Sequence, residues 1–415
     1  MIDWDKPLPQ LRAVEAFPVD LDRGSMLAFK DPERYASAVL TVEQSAAFVM
    51  AACDGRMTLK DLAVSYKEKT GAEFPLESVK KLLLSFDEHY FFDNARFQKQ
   101  KERVQRAWLA SEIRPVTLFD YIDADNKEAA TDDLRSMLNG IFQETDFEPG
   151  PEIRPNDNKA VALIAPHIDF LRGGRIWAVA YAEFAKSFQG RTVVILGTNH
   201  QRHQFPVAMT RKKFDTPFGV LGVDEEILEG IAERMPFDPF ADELSHRTEH
   251  SIELAATMLA YMRPDLEIVP ILLGGANDLI AGGGDQKTDE AMLELSSVCR
   301  DLLDSYGENI ALIASADLAH VGKMFDDNFR IDDEKGRINK ERDMAMLSGL
   351  VEGDPSAFVQ YIAEEKGVRR ICGLTPIYVA AEACGLPFEL LAHDQWIDES
   401  GNGLVSYAAL IARRD

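Results

Sequence analysis

Six side chains of this 415-residue chain, of types that bind metals or move protons, fall in suggestive places, and most of them recur at one kind of position. His167 closes the apolar run "VALIAPH", His200 closes "VVILGTNH", and Asp317 and His320 follow "IALIAS". Such short, unbroken runs of β-branched and aliphatic residues predict strands covered on both faces, as in a parallel sheet. Ligands of open α/β sheets bind beyond the carboxyl ends of the strands, so these four residues could meet in one crevice. His250 lies in "SHRTEHSIEL" at the start of a predicted helix, where Glu253, three residues on, shares its face and could orient the imidazole. Alternatively, Glu249 and Glu253 are ordinary first-turn carboxylates favoured by the helix dipole. His246 is four residues from His250, but "HRTEH" is not the HExxH of a metalloprotease. His246 and His203 are read as solvated polar residues. Cys372, in "RRICGLTPIYVAAEAC", precedes a helix that Thr375 and Pro376 open. With Arg369 and Arg370 close by, its thiol is expected to have a lowered pKa, which suits either a metal ligand or a nucleophile. Cys299 and Cys384 fall within helical patterns and read as inert core residues.

The elements that must position these groups alternate. The strands "KAVALIAPH", "RTVVILGTNH", "LEIVPILLGG" and "NIALIASADLAH" are separated by helical patterns such as "GGRIWAVAYAEFAKSF", "DEEILEGIAERM" and "SIELAATMLAYM". That order predicts an α/β fold with a largely parallel sheet and helices on both faces. "KKFDTPFGVLGVD" predicts a β-hairpin, and the glycine-rich "GGANDLIAGGGDQKTDE" a surface insertion lacking the spacing of a phosphate loop. Residues 1–94 read differently, as three short helices. Thr58 and Asp61 are spaced as a capping box for the second, and Val79, Leu82, Leu83 and Phe86 form the apolar stripe of the third. "HYFFDN" could then pair as a short strand, giving a small winged-helix-like α(+β) domain. Residues 95–112 read as a charged connecting helix and 113–415 as the α/β domain. A small helical packing domain is the plainer alternative for the N-terminal part, and no basic recognition helix argues for DNA binding there.

The composition, 46% hydrophobic and 28% charged, is that of a globular protein. A net charge of -25 argues against general nucleic-acid or anionic-membrane binding. The N-terminus "MIDWDKPLPQ" lacks the regions of a signal peptide, no apolar run approaches a membrane span, and four scattered cysteines make no disulfide framework. A reducing cytoplasm is the expected location.

Taken in order, "APHIDFLRGG", "ILGTNHQRH", "FDTPFGVLGVD", "LSHRTEHSIEL", "SADLAHVG" and "CGLTPIY" resemble the MEMO-like family, also known as AmmeMemoRadiSam system protein B. The resemblance covers about residues 113–415. It implies the fold of class III extradiol dioxygenases, whose non-haem iron is held by two His and a carboxylate. Carried over by position, it implies a metal site of His167, His200 and Cys372, with Asp317, His320 and His250 as pocket residues. Family members act with a radical-SAM protein and an AMMECR1-like protein, which are the implied partners. "IRPVTLFDYIDADN" departs from the family's usual entry to the pocket. The first 90 or so residues lie outside that resemblance and resemble instead the PqqD-like winged-helix domains, through "DG" followed by "TLKDL" and a hydrophobic third helix.

Two imidazoles and a thiolate suit iron, copper or zinc, and suit magnesium or calcium poorly. The favoured expectation is a metal-dependent oxidoreductase or dioxygenase-like enzyme holding iron or copper, with zinc the next choice. In it His320 is the acid/base, Asp317 orients His320 or substrate, and His250 stabilises negative charge. Two alternatives are a metal-free Cys hydrolase, with Cys372 as nucleophile, His320 as base and Asp317 as orienter, and a non-catalytic partner-binding protein.

Overall fold

The computed structural model describes residues 2–21, 24–36, 38–118, 127–143, 145, 159–201, 203–276 and 286–414. Parts of the glycine-rich insertion (277–285) and of the "IRPVTLFDYIDADN" segment (119–126) lie outside the described residues. The chain divides into two compact units, Met1–Ser111 and Glu112–Asp415.

The first unit contains a three-stranded antiparallel sheet, β1 (Glu15–Leu21), β2 (Gly24–Lys30) and β3 (Leu40–Glu43), followed by helices α1 (Ala47–Ala51), α2 (Leu59–Thr70), α3 (Leu76–Glu88) and α4 (Ala95–Ala110). The expected capping box of α2 is present: Asp61 N donates to Thr58 Oγ1 at 3.2 Å and Thr58 N donates to Asp61 Oδ2 at 3.0 Å. The small sheet therefore comes before the helices, and the expected ribbon at "HYFFDN" does not form. Phe91 and Phe92 are both fully buried against Phe86, so neither can take the solvent face that a ribbon's alternation needs. Only a single bridge, Leu11 to Phe92, remains there. The helix expected as a connector, α4, lies within this unit.

The second unit runs β4 (Ile113–Arg114), α5 (Lys127–Phe142), β5 (Lys159–Ala165), α6 (Phe170–Ser187), β6 (Thr192–Thr198), β7 (Val207–Met209), β8 (Lys213–Thr216), β9 (Gly219–Val223), α7 (Glu225–Ala232), α8 (Ser251–Met262), β10 (Glu267–Leu273), α9 (Gln286–Tyr306), β11 (Ile310–Ser315), β12 (His320–Val321), α10 (Asp333–Val351), α11 (Pro355–Glu364), α12 (Leu374–Cys384), β13 (Glu389–Ile397) and β14 (Leu404–Arg414). Its sheet has the order β12-β14-β5-β11-β6-β10-β9-β8-β4, with β13 on β14 and β7 on β10. The centre, β5-β11-β6-β10-β9, is parallel, and the expected β8–β9 hairpin is antiparallel. Every residue of β6 and of β11 is buried, because helices flank the sheet and leave neither face to water. The result is the α/β architecture that the alternation of strands and helices predicts. Among the described residues no helix is long and apolar enough to cross a membrane.

Candidate metal and proton-transfer site

β5, β11 and β6 are neighbours and parallel, so the residues that follow them emerge side by side. His167 lies two residues beyond β5, His200 two beyond β6, and Asp317 two beyond β11. His167 is almost wholly buried, and its Nδ1 lies 3.0 Å from the Ser315 carbonyl. A carbonyl can only accept, so Nδ1 carries the proton and Nε2 is left with its lone pair. That Nε2 faces Cys372 Sγ at 3.3 Å. Burial, together with His200 and His250 nearby, holds the His167 pKa well below the usual histidine value, which keeps the ring neutral.

Glu249 does for two histidines what Ser315 does for one. Its carboxylate accepts His200 N at 2.8 Å and lies 3.0 Å from His200 Nδ1. It also accepts His250 N at 2.8 Å and Ser251 N at 3.1 Å, and lies 3.1 Å from His250 Nδ1. The two rings stack at 5.0 Å between centroids with planes 17° apart. Burial alone would raise the Glu249 carboxyl, but His200 and His250 hold it well below the usual carboxylate range. Burial likewise opposes charge on His200, yet Glu249 and the hydrogen bond with Cys372 carry its pKa well above the usual value. A cation at the His200 Nε2 position takes the place of that ring's second proton.

The local sequence explains this approach. A Cβ on Gly197 would lie 2.6 Å from Ile252 Cγ1 and 2.7 Å from Ser251 Oγ, so glycine in "ILGTNH" lets the first turn of α8 settle on β6. Ser251 Oγ then donates to Thr198 O at 2.8 Å, and Ser315 Oγ to Ser251 O at 2.6 Å. The rack that carries Glu249 is braced from behind by Arg114, fully buried, which donates to His246 O at 2.8 Å, Glu249 O at 2.7 Å and Glu253 Oε2 at 2.9 Å.

Three expectations are corrected here. The carboxylate that orients His250 is Glu249, because Glu253 is turned away into Arg114, Thr117 and Leu118 N. His246 is not solvated; it is buried with Nε2 3.0 Å from Ala208 O, and burial pushes its pKa down to about 3. It also shares no helix face with His250, since a short 3-10 turn (Glu243–Arg247) precedes the α8 start. His203, by contrast, is exposed as expected.

Cys372 is partly exposed and approaches Asp317 O at 3.6 Å. Its pKa is raised rather than lowered, because burial of the sulfur outweighs the hydrogen bond and charge of His200. The neighbouring arginines do not serve it: Arg369 is engaged by Asp343 and Glu365, and Arg370 by Asp327. Asp317 does not orient His320. Its Oδ1 accepts His167 N at 2.9 Å and Ile168 N at 3.2 Å, and burial pushes its pKa up to about 6 despite those bonds. His320 instead places Nδ1 3.1 Å from Leu318 O and its ring edge-on to Phe325. Burial takes its pKa down to about 4 against backbone hydrogen bonds with Leu318 and Arg370, so at neutral pH the ring is uncharged. The nucleophile–base–orienter relay of the hydrolase expectation is therefore not joined by hydrogen bonds.

The donor atoms of His167, His200 and Cys372 all lie within 4.8 Å of one another. Two Nε2 lone pairs fixed by anchored Nδ1 protons, and one sulfur, form a donor set that fits iron, copper or zinc. His200, Glu249 and His250 form a second close group. There the carboxylate lone pairs already receive backbone and ring N–H groups, so that group acts as a support.

The family model described as "Memo-like protein" matches residues 126–411. The chain belongs to the Memo-like family. Among its relatives, a MEMO1 family protein of Aquifex aeolicus (strain VF5) is 24% identical over 370 residues, covering 88% of this chain and 90% of the relative. Another, from Methanosarcina barkeri (strain Fusaro / DSM 804), is 27% identical over 287 residues, 68% of this chain and 94% of the relative. A third, from Methanococcoides burtonii (strain DSM 6242 / NBRC 107633 / OCM 468 / ACE-M), is 30% identical over 272 residues, 64% of this chain and 90% of the relative. Because the second unit spans only residues 112–415, the Aquifex aeolicus alignment runs into the first unit as well, further than the motif resemblance reached.

Sequence reasoning about this Memo-like chain missed Glu249 and Asn199. Glu249 carried a signal, since it directly precedes His250, but it was read as a first-turn carboxylate. Asn199 is buried beside His200; its Oδ1 accepts Gln201 N at 3.0 Å, and its Nδ2 has no partner among the described residues.

Proposed function

We propose that this Memo-like protein is a metal-dependent oxidoreductase, dioxygenase-like in architecture, that holds one iron or copper ion on His167, His200 and Cys372. The observation that carries the reading is the convergence of these three donors within 4.8 Å, with Nδ1 of the two imidazoles held by Ser315 O and by Glu249. When bound, such a metal supplies one-electron redox chemistry and Lewis acidity. The chain's own residues do the rest. His320, neutral at pH 7, is the base that takes a proton from substrate. Asp317, its pKa raised by burial to about 6, fixes the backbone of His167 and holds or releases a proton at Oδ2, 3.7 Å from His167 Nε2. His250 presents its Nε2 to incoming substrate, because Glu249 holds its Nδ1.

The test is metal content by plasma mass spectrometry on untagged protein purified without oxygen, beside His200→Ala and Cys372→Ser. About one iron or copper per chain, lost in both variants, supports the reading and directs an oxygen-consumption screen. Stoichiometric zinc would redirect it to hydrolysis or structure. No metal in the parent protein sinks it.

A further inference from the structure

A buried charged cluster lies outside the donor set. Asp343 on α10 is wholly buried and meets Arg369 Nη1, His393 Nε2 at 2.9 Å and Asn339 Nδ2 at 3.1 Å. Arg369 extends its fork to Glu365 Oε2 at 2.8 Å, and Glu365 is also met by Arg342 at 2.6 Å. Two arginines face two carboxylates in the cluster, so their charges balance, and His393 Nδ1 is buried with no hydrogen-bond partner among the described residues. A cluster of this cost is better explained by what its backbone holds.

Arg369 lies three residues before Cys372, and its carbonyl accepts His320 N at 2.7 Å. Four residues further on, Gly373 N donates to Asp317 O at 3.0 Å. These two bonds clasp segment 317–320 to segment 369–373, and the clasp contains Asp317, His320 and Cys372. Its closeness depends on glycine: a Cβ on Gly373 would lie 2.5 Å from both Ala316 Cβ and Asp317 O. Across the clasp, Thr198 Oγ1 donates to Cys372 O at 3.1 Å, which ties it to the strand that delivers His200. The only deeply buried ionic anchor along segment 369–373 is the side chain of Arg369, 2% exposed.

We propose that Arg369 is a positioning residue of the site: clamped by Asp343 and Glu365, it sets the spacing of Cys372 and His320 through the backbone clasp. The proposal rests on Cys372 being a ligand, as argued above. The substitution that tests it is Arg369→Lys, which keeps the charge but cannot fork to two carboxylates.

Cobalt(II) titrated into metal-free full-length protein is the probe, read by its thiolate charge-transfer band, with folding checked by circular dichroism. The expected result for R369K is a dissociation constant raised about tenfold or more, as for other residues that orient ligands, with a weakened band. His393→Gln, which keeps an amide donor toward Asp343, should stay near the parent protein. A folded R369K with unchanged affinity and band overturns the proposal. If R369K does not fold, Glu365→Gln removes one arm of the clamp at the cluster's edge and should move both readings in the same direction; no movement overturns it. If the parent protein gives no thiolate–cobalt band, the metal reading fails on its own. The clasp is then decided by iodoacetamide labelling of Cys372, the other three cysteines being buried. Faster labelling in R369K supports the clasp, and an unchanged rate overturns it.

Discussion

Replacing one member of the Arg114–Glu253 pair should destabilise the second unit far more than any exposed ion pair does. Their side chains are 0% and 1% exposed, with Nη2 and Oε2 2.9 Å apart. Glu253 also receives Thr117 N, Thr117 Oγ1 and Leu118 N, while Arg114 serves the carbonyls of Pro115, His246 and Glu249. Removing one partner leaves the other charge buried and unpaired, which costs about 3–5 kcal/mol. The exposed Arg234–Glu294 pair, by comparison, should contribute no more than about 1 kcal/mol. Arg114→Met with Glu253→Met removes both charges but still orphans several carbonyl and N–H groups, at about 1–3 kcal/mol each. The double variant should therefore remain unstable, yet fall short of the sum of the singles by about 2 kcal/mol. Because the chain has two compact units, the assay is urea-dependent hydrogen exchange read on peptides of β5, β6 and β11. The pH dependence has a definite sign. Arg114 and the Thr117 bonds hold Glu253 below its ordinary value of 4.5 against the opposing effect of burial. Its contribution is thus complete above about pH 4.5 and is lost as pH falls through the lower folded value. A coupling below about 0.5 kcal/mol, within the error of additivity, would refute the reasoning.

Three further outcomes are expected. Glu249→Gln removes the charge that holds His200 and His250, and should weaken cobalt(II) binding about 10- to 100-fold by titration, with the fold intact by circular dichroism. His246 stays neutral when folded but takes up a proton when unfolded below about pH 6.5, so stability should fall on acidification by up to about 1.4 kcal/mol per pH unit from this group. His246→Asn should flatten that slope in urea melts at pH 7 and 5. Gly373→Ala forces a methyl against Ala316 and Asp317 O and should cost about 1–3 kcal/mol, seen as a lowered urea midpoint at constant slope.

The strands and the histidines at their ends were legible because a doubly covered strand leaves an unbroken apolar run, and the residue that ends the run marks the sheet edge. The β8–β9 hairpin was legible from Thr216-Pro217 and Gly219 for the same local reason. The support of the site was not. Whether Glu249 or Glu253 serves His250 depends on where α8 begins. Because the helix starts at Ser251, Glu249 precedes it and is free to gather N–H groups from two segments. The Cys372 thiol was misjudged because nearness in sequence to Arg369 and Arg370 says nothing of where the guanidinium groups go; both turn to carboxylates from distant segments. His246 was misjudged since a lone polar residue carries no mark of the turn that buries it. The sheet of the first unit was missed because Glu15–Pro18 of β1 are all exposed, which blurs the alternation that reveals a half-buried strand, and because β3, although it alternates with Leu40 and Val42 packed inward, is only four residues long.

The placement of β11 between β5 and β6 has a consequence for how the protein comes into being. The two strands that end in His167 and His200 are made early, but they become neighbours only through a strand synthesised more than a hundred residues later. Cys372 follows later still. A nascent chain therefore carries its imidazoles for much of translation with no place to assemble them, and such distant pairings are slow to form. Ion capture belongs to the last stage of synthesis, and a chain cut before residue 310 has no route to the site at all.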